Sequence, residues 1–214
     1  SVSELINSNA GKTAFSFELL PPLKGNSIRH VFTTIDRLKE FDPKYINITT
    51  HHSENIYKEG DDGVIRKINI RKRPGTVAIA AAIQNKYGIT AVPHLIAKGF
   101  TKEETEYALI DLSFLGVTDL LLLRGDTNKL DIEQRKMDSH EHATDLQIQV
   151  NNFNKGIGYD GTRFEAPENP FSYGMACYPE KHEESPNMES EIYYTKMKVD
   201  NGAEYLVTQM FFDN

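Results

Sequence analysis

Glu18 stands near the end of an apolar run, Phe15-Ser16-Phe17-Glu18-Leu19-Leu20, and Pro21-Pro22 stops the run behind it. Two prolines cannot continue a ladder of backbone hydrogen bonds, so the carboxylate falls where a strand gives way to a loop. In α/β folds that edge builds the binding site. Phe17, Leu19 and Leu20 beside it predict partial desolvation. Desolvation would raise the carboxyl pKa and suit the group to proton donation near neutral pH.

A second group with chemical potential is Arg124-Gly125-Asp126, directly after the four leucines 120–123. Gly125 lets a backbone approach a ligand or take a positive φ. Arg124 can grip a phosphate or carboxylate in a two-pronged way. An Arg–Asp pair that only stabilises a turn is the competing reading. Tyr178-Pro179-Glu180 follows another apolar run, with His182 just beyond. Tyr178 offers a flat face for stacking and a hydroxyl for fixing a ring. Gln209 closes the last apolar run, and its amide could meet the edge of a heterocycle. Lys198 lies near the end of a helix, where a surface role is the default.

The seven histidines raise a metal hypothesis, built on His94, His142 and His182. A metal-dependent hydrolase would need three such groups convergent with a carboxylate. The chain has no His-x-x-x-His and no paired cysteines, and His140-Glu141-His142 is a close pair that lies after an irregular loop. Nothing suggests a Ser-His-Asp or Cys-His nucleophile. Cys177, the single cysteine, falls within a strand and reads as inert core.

The elements that must position these groups alternate. A helix carrying Ile28, Val31, Phe32, Ile35 and Leu38 on one face follows the first strand, with Asn26 or Ser27 as its cap. Tyr45–Thr49 reads as a strand, and Asp62-Gly63 as the turn of a hairpin inserted over 53–73. Then come a helix over Thr76–Tyr87, a strand over Thr90–His94, and a helix opened by Thr101 and Glu104 at capping-box spacing. A strand at Leu120–Leu123, a helix over 140–154 and a loop over 155–170 follow. A strand at Tyr173–Cys177, a helix over 187–200 and a strand at Tyr205–Gln209 close the series. Strict β-α alternation means a parallel sheet, either open and doubly wound or a (β/α)8 barrel. No Gly-x-Gly-x-x-Gly follows the first strand, and a polar residue sits at nearly every strand end, as at a barrel mouth. A barrel needs eight strands and six are visible, so residues 1–214 are expected to be one barrel domain, C-terminally incomplete.

With 214 residues, 39% of them hydrophobic, the chain can bury a core. A formal charge of −7 and a pI near 5.5 argue against a nucleic-acid surface. The basic residues Arg66, Lys67, Arg71, Lys72 and Arg73 read as a solvated hairpin face. No secretory signal and no apolar run near the ~18 residues of a membrane span are visible. With one cysteine, a reducing cytoplasm is expected, and so is a homo-oligomer.

Taken in order, these motifs resemble the methylenetetrahydrofolate reductase family. The match runs through Phe17-Glu18 with Pro21-Pro22, Ile48-Thr49, Pro93-His94-Leu95, Leu123-Arg124-Gly125-Asp126 and His142-Ala143-Thr144-Asp145-Leu146. It continues through Tyr178-Pro179-Glu180 with His182, Lys198-Val199-Asp200 with Gly202-Ala203, and Thr208-Gln209 with Phe211-Phe212-Asp213. The resemblance implies a (β/α)8 barrel that holds FAD without a Gly-rich fingerprint. It implies hydride transfer from NADH or NADPH to 5,10-methylenetetrahydrofolate, giving 5-methyltetrahydrofolate. By position, Glu18 would be the general acid, Asp126 would sit near flavin and pterin, and Gln209 would bind the pterin. Thr49, His94, Arg124, Gly125, Asp126, His142, Ala143, Tyr178, His182, Glu191 and Lys198 would hold FAD. Glu191 replaces a frequent Asp, Tyr194 a common Asn, and His51-His52 small residues. The alternatives are the metal-dependent barrel hydrolase and an inactive barrel fragment.

Overall fold

The computed structural model describes residues 1–51, 53–125 and 138–211. In chain order the elements are α1 (Val2–Ser8), β1 (Ser16–Leu19), α2 (Arg29–Leu38), β2 (Tyr45–Ile48), β3 (Glu54–Glu59) and β4 (Ile65–Ile70). They continue as α3 (Thr76–Tyr87), β5 (Thr90–Ile96), α4 (Lys102–Phe114), β6 (Asp119–Leu123), α5 (Ala143–Asn154), β7 (Ser172–Cys177), α6 (Met188–Asp200) and β8 (Tyr205–Thr208). Six strands form one sheet in the order β1-β2-β5-β6-β7-β8, and every neighbouring pair is parallel. The sheet is curled and open, a partial (β/α) barrel, as strict β-α alternation predicts.

Period-two alternation divides the sheet into two apolar layers. Leu19, Ile46, Ile48, Ala91, Leu95, Leu120, Leu122, Tyr173 and Met175 point outward into the main core. They meet Val31 and Ile35 of α2, Ile79 and Ile83 of α3, Leu109 and Leu112 of α4, and Leu146, Val150 and Phe153 of α5. Val92, Leu121 and Tyr205 point the other way, into a smaller cluster on the concave face with Val2. α1 therefore stoppers the amino end of the sheet. Its Val2 is wholly buried, and the Val2 N–H donates to the Asp119 carboxylate at 2.6 Å.

The hairpin β3–β4 pairs antiparallel and is longer than its turn signal suggests. It follows β2 and returns beside the loop that leaves β1: the Lys24 N–H donates to the Lys72 carbonyl at 2.7 Å, and Arg73 donates to the Pro21 carbonyl. Arg66 is spent on Asp62 within the hairpin, in keeping with a solvated basic face. Two local expectations shift. Ser27 does not cap α2 directly. Ile28 is the cap residue, and the Ser27 hydroxyl accepts the Arg29 N–H at 3.2 Å. α5 begins at Ala143 rather than residue 140. Among the described residues no helix is long and apolar enough to cross a membrane.

Candidate active site

Parallel pairing runs past the strand ends and sets the residues of the carboxyl edge side by side. The Thr49 N–H donates to the Leu19 carbonyl, Lys98 N–H to the Arg124 carbonyl, and Gln209 N–H to the Cys177 carbonyl, at 2.9–3.1 Å. The edge is therefore a continuous rim, with Glu18 on the outermost strand at one end and Gln209 beyond the outermost strand at the other.

Glu18 faces the concave side, in register with Asn47 of β2. Phe17 and Leu19, one residue away on either side, point to the opposite face and cannot desolvate it. Leu20 is itself exposed. Glu18 is exposed on an edge strand, so the desolvation expected from its sequence neighbours is absent. A hollow of about 190 Å³ opens between β1 and α2, lined by Glu18, Phe17, Leu19, Val31 and Ile35 among others. It belongs to the edge of the outer layer, three strands from Arg124.

His94 is the buried polar group of the rim, 3% exposed. Its Nε2 lies 3.3 Å from Asn47 Oδ1, and its carbonyl accepts the Thr50 hydroxyl at 2.6 Å. Burial pushes the imidazole pKa down to about 4, so the ring is neutral at ordinary pH. Thr49 spends its hydroxyl on the Leu19 carbonyl at 3.4 Å.

Arg124 leaves β6 and reaches the loop after β7, where its guanidinium takes both carboxylate oxygens of Glu184. The pairing holds the Arg124 pKa above its usual value and the Glu184 carboxyl below its own. Lys98 adds positive charge near the same carboxylate, and the His182 Nδ1 accepts the Glu184 N–H at 3.1 Å. The Tyr178 and His182 rings meet edge to face with centroids 4.7 Å apart. Gly125 has φ 82°, and a Cβ there would sit 3.2 Å from the Ile96 Cβ. Only glycine takes that turn without strain. Asp126, expected beside it, lies outside the described residues.

Glu191 is buried and acts as a loop anchor, accepting the Ser185 hydroxyl at 2.7 Å and the His182 N–H at 3.3 Å. Lys198, expected by default at the surface, is half-buried instead, and its Nζ donates to the Ala176 carbonyl at 2.7 Å. Burial lowers the Lys198 pKa, and nearby Glu191 opposes the shift. Cys177 is half-buried, and burial raises its thiol pKa. His142 is exposed at the cap of α5, its N–H donating to the Asp145 carboxylate at 2.9 Å, and Ala143 opens the helix.

Two neighbourhoods thus come together: Arg124, Lys98, Glu184, His182 and Tyr178 in one, and His94, Asn47 and Thr50 in the other. Glu18 and Gln209 sit apart, on opposite sides of the open sheet. The histidines of the metal hypothesis do not converge. His94 faces Asn47, His182 packs on Tyr178 and His142 caps a helix. Among the described residues no group of three His, Cys, Asp or Glu side chains could hold a metal ion. Sequence reasoning passed over Asn47, Thr50, Lys98 and Glu184. Asn47 carried a signal, a polar residue alternating with Ile46 and Ile48 on a strand. Lys98 carried a weaker one, a charge two residues past a strand end. Glu184 carried none.

A sequence model of the family described as Methylenetetrahydrofolate reductase matches residues 2–214. Methylenetetrahydrofolate reductase 1 of Schizosaccharomyces pombe is 28% identical over 204 residues, covering 94% of this chain and 29% of that protein. The 5,10-methylenetetrahydrofolate reductases of Pectobacterium carotovorum and Escherichia coli are 28% and 26% identical over 203 residues, each covering 95% of this chain and 56% of the relative. The chain thus spans about a third to just over half the length of these relatives. A solved structure of an uncharacterized protein from Clostridium thermocellum, described as binding two copies of 5-methyl-5,6,7,8-tetrahydrofolic acid, has a TM-score of 0.50 at 13% identity. It covers the whole of this chain and 59% of that one, and at this identity the likeness speaks to fold alone. The curled β/α sheet, the ordered strand-end motifs and the match across residues 2–214 together make this chain a member of the methylenetetrahydrofolate reductase family.

Proposed function

We propose that residues 1–214 form the FAD-binding (β/α) barrel catalytic domain of a cytoplasmic, homo-oligomeric enzyme that reduces 5,10-methylenetetrahydrofolate to 5-methyltetrahydrofolate with NADH or NADPH. Two further β/α units would complete the barrel, since β1 and β8 both present open edges. The observation that carries the reading is the gathering of Arg124, Lys98, His182 and Tyr178 on the carboxyl edge of a parallel sheet, in a chain of this family.

The donor set fits a flavin dinucleotide. Arg124 already grips an anion of its own chain through both oxygens, which is the geometry it would offer a phosphate. Gly125, left-handed and tight against Ile96, leaves its backbone open to close approach. FAD, when bound, would supply two-electron transfer between the nicotinamide and the folate. Arg124 and Lys198 would hold its negative groups. Lys198 would act by charge while its Nζ stays on the Ala176 carbonyl, or turn from it. Tyr178 would stack on the adenine. Thr49, His94, Gly125, His142, Ala143, His182 and Glu191 would shape the remaining walls.

Glu18 would donate the proton that opens the five-membered ring of the folate to its reactive iminium, and Gln209 would hydrogen-bond the pterin. Asp126 would bear on flavin and pterin together. A folate ring laid over the concave face would remove water from Glu18 and supply the desolvation that the open sheet lacks.

The spectrum of the purified protein tests this reading. Visible absorption of oxidised flavin, released as FAD on denaturation, is expected. A colourless protein carrying zinc in stoichiometric amount would favour the hydrolase instead.

A further inference from the structure

We propose that Glu184 is a built-in occupant of the Arg124 anion site, which an anionic ligand must displace, so that Glu184 sets how tightly the site holds that ligand. The inference rests on the reading of Arg124 as a cofactor contact.

Three observations carry it. First, the contact is two-pronged: one guanidinium nitrogen meets one Glu184 oxygen, and the other lies 3.1 Å from the second. This is the arrangement arginine makes with phosphate. Second, the carboxylate lies within a positive field to which Lys98 also contributes, so a free anion entering here meets the same two cations. Third, the loop does not depend on the pair. Its backbone is pinned elsewhere, by the buried Glu191 accepting from Ser185 and from the His182 N–H, and by Lys181 Nζ donating to the His182 and Ser185 carbonyls at 3.0 and 2.6 Å. The Glu184 side chain is 58% exposed, against 26% for Arg124. A turn of the Glu184 side chain alone frees the guanidinium, and the loop keeps its anchors.

An exposed ion pair is weak, so the competition is modest and a diphosphate carrying two negative charges in all wins it. Neutralising Glu184 should tighten binding by about fivefold, the tenfold-per-1.4 kcal/mol scale applied to a pair of that strength.

The experiment strips cofactor from the protein and titrates it with FAD, following the quenching of flavin fluorescence. Glu184→Gln and Glu184→Ala should each lower the dissociation constant by about fivefold. In an Arg124→Ala background the same changes should do nothing. Inorganic pyrophosphate, titrated calorimetrically into the flavin-free protein, should bind Glu184→Gln more tightly than the parent. If Arg124→Ala weakens FAD binding while both Glu184 variants leave it unchanged or weaker, the displacement idea is overturned and the cofactor assignment stands. If Arg124→Ala itself leaves FAD binding unchanged, the cofactor assignment falls and takes this inference with it.

Discussion

His94 Nε2 and Asn47 Oδ1 face each other at 3.3 Å across two neighbouring strands on the concave side of the sheet. An amide oxygen only accepts, so Nε2 carries the proton and Nδ1 is left as an acceptor. The pair fixes one tautomer in a residue that burial keeps neutral.

That neutrality has a pH signature. The folded pKa lies near 4 and the unfolded value near 6.5. Between those values the unfolded chain binds more protons than the folded one, so stability rises with pH. It is fully present above the unfolded pKa and declines as pH falls toward 4. The contribution of this one group amounts to about 3 kcal/mol across the window. Denaturant melts at pH 7 and pH 4.5 should show a steeper loss for the parent than for His94→Gln. Equal losses would contradict it.

Gly174 of β7 faces Tyr205 of β8, and a Cβ at Gly174 would stand 2.3 Å from the tyrosine ring. That ring is buried, with its hydroxyl on the Leu120 carbonyl at 3.2 Å. Gly174→Ala should destabilise the protein by about 2 kcal/mol, a fall of roughly 5 °C in Tm. Adding Tyr205→Leu should restore part of the loss, because the obstructing ring is gone. A Gly174→Ala protein with the parent's Tm would show that the ring has free room.

Gly125→Ala combines a left-handed φ of 82° with a 3.2 Å approach to the Ile96 Cβ. Its expected cost is about 1–2 kcal/mol, measured as a shift in the urea midpoint. The parent's midpoint would contradict it.

The sheet was legible because its signals are local. The four leucines of β6, the Thr101–Glu104 capping box and the Asp62-Gly63 turn each specify their own geometry. α1 escaped notice although Ser1 and Glu4 form a capping box, because two turns are too short to show a helical period and its position depends on burying Val2 beneath β6. The partners at the candidate site were not legible in the sequence. Arg124 and Glu184 are 60 positions apart and meet only through the path of the β7–α6 loop. The solvation of Glu18 was misjudged for a plainer reason: neighbours in sequence on a strand lie on opposite faces, so Phe17 and Leu19 say nothing about it.

The two half-reactions separate the proposed role of Glu18, proton donation to a methylene-bridged folate, from every other role in the site. Glu18→Gln in the full-length enzyme should keep its flavin and be reduced by NADH or NADPH at the parent rate. The reduced variant should then fail to turn over 5,10-methylenetetrahydrofolate, with a loss of at least ~10² in the folate half-reaction. Folate-dependent reoxidation at the parent rate would contradict the account.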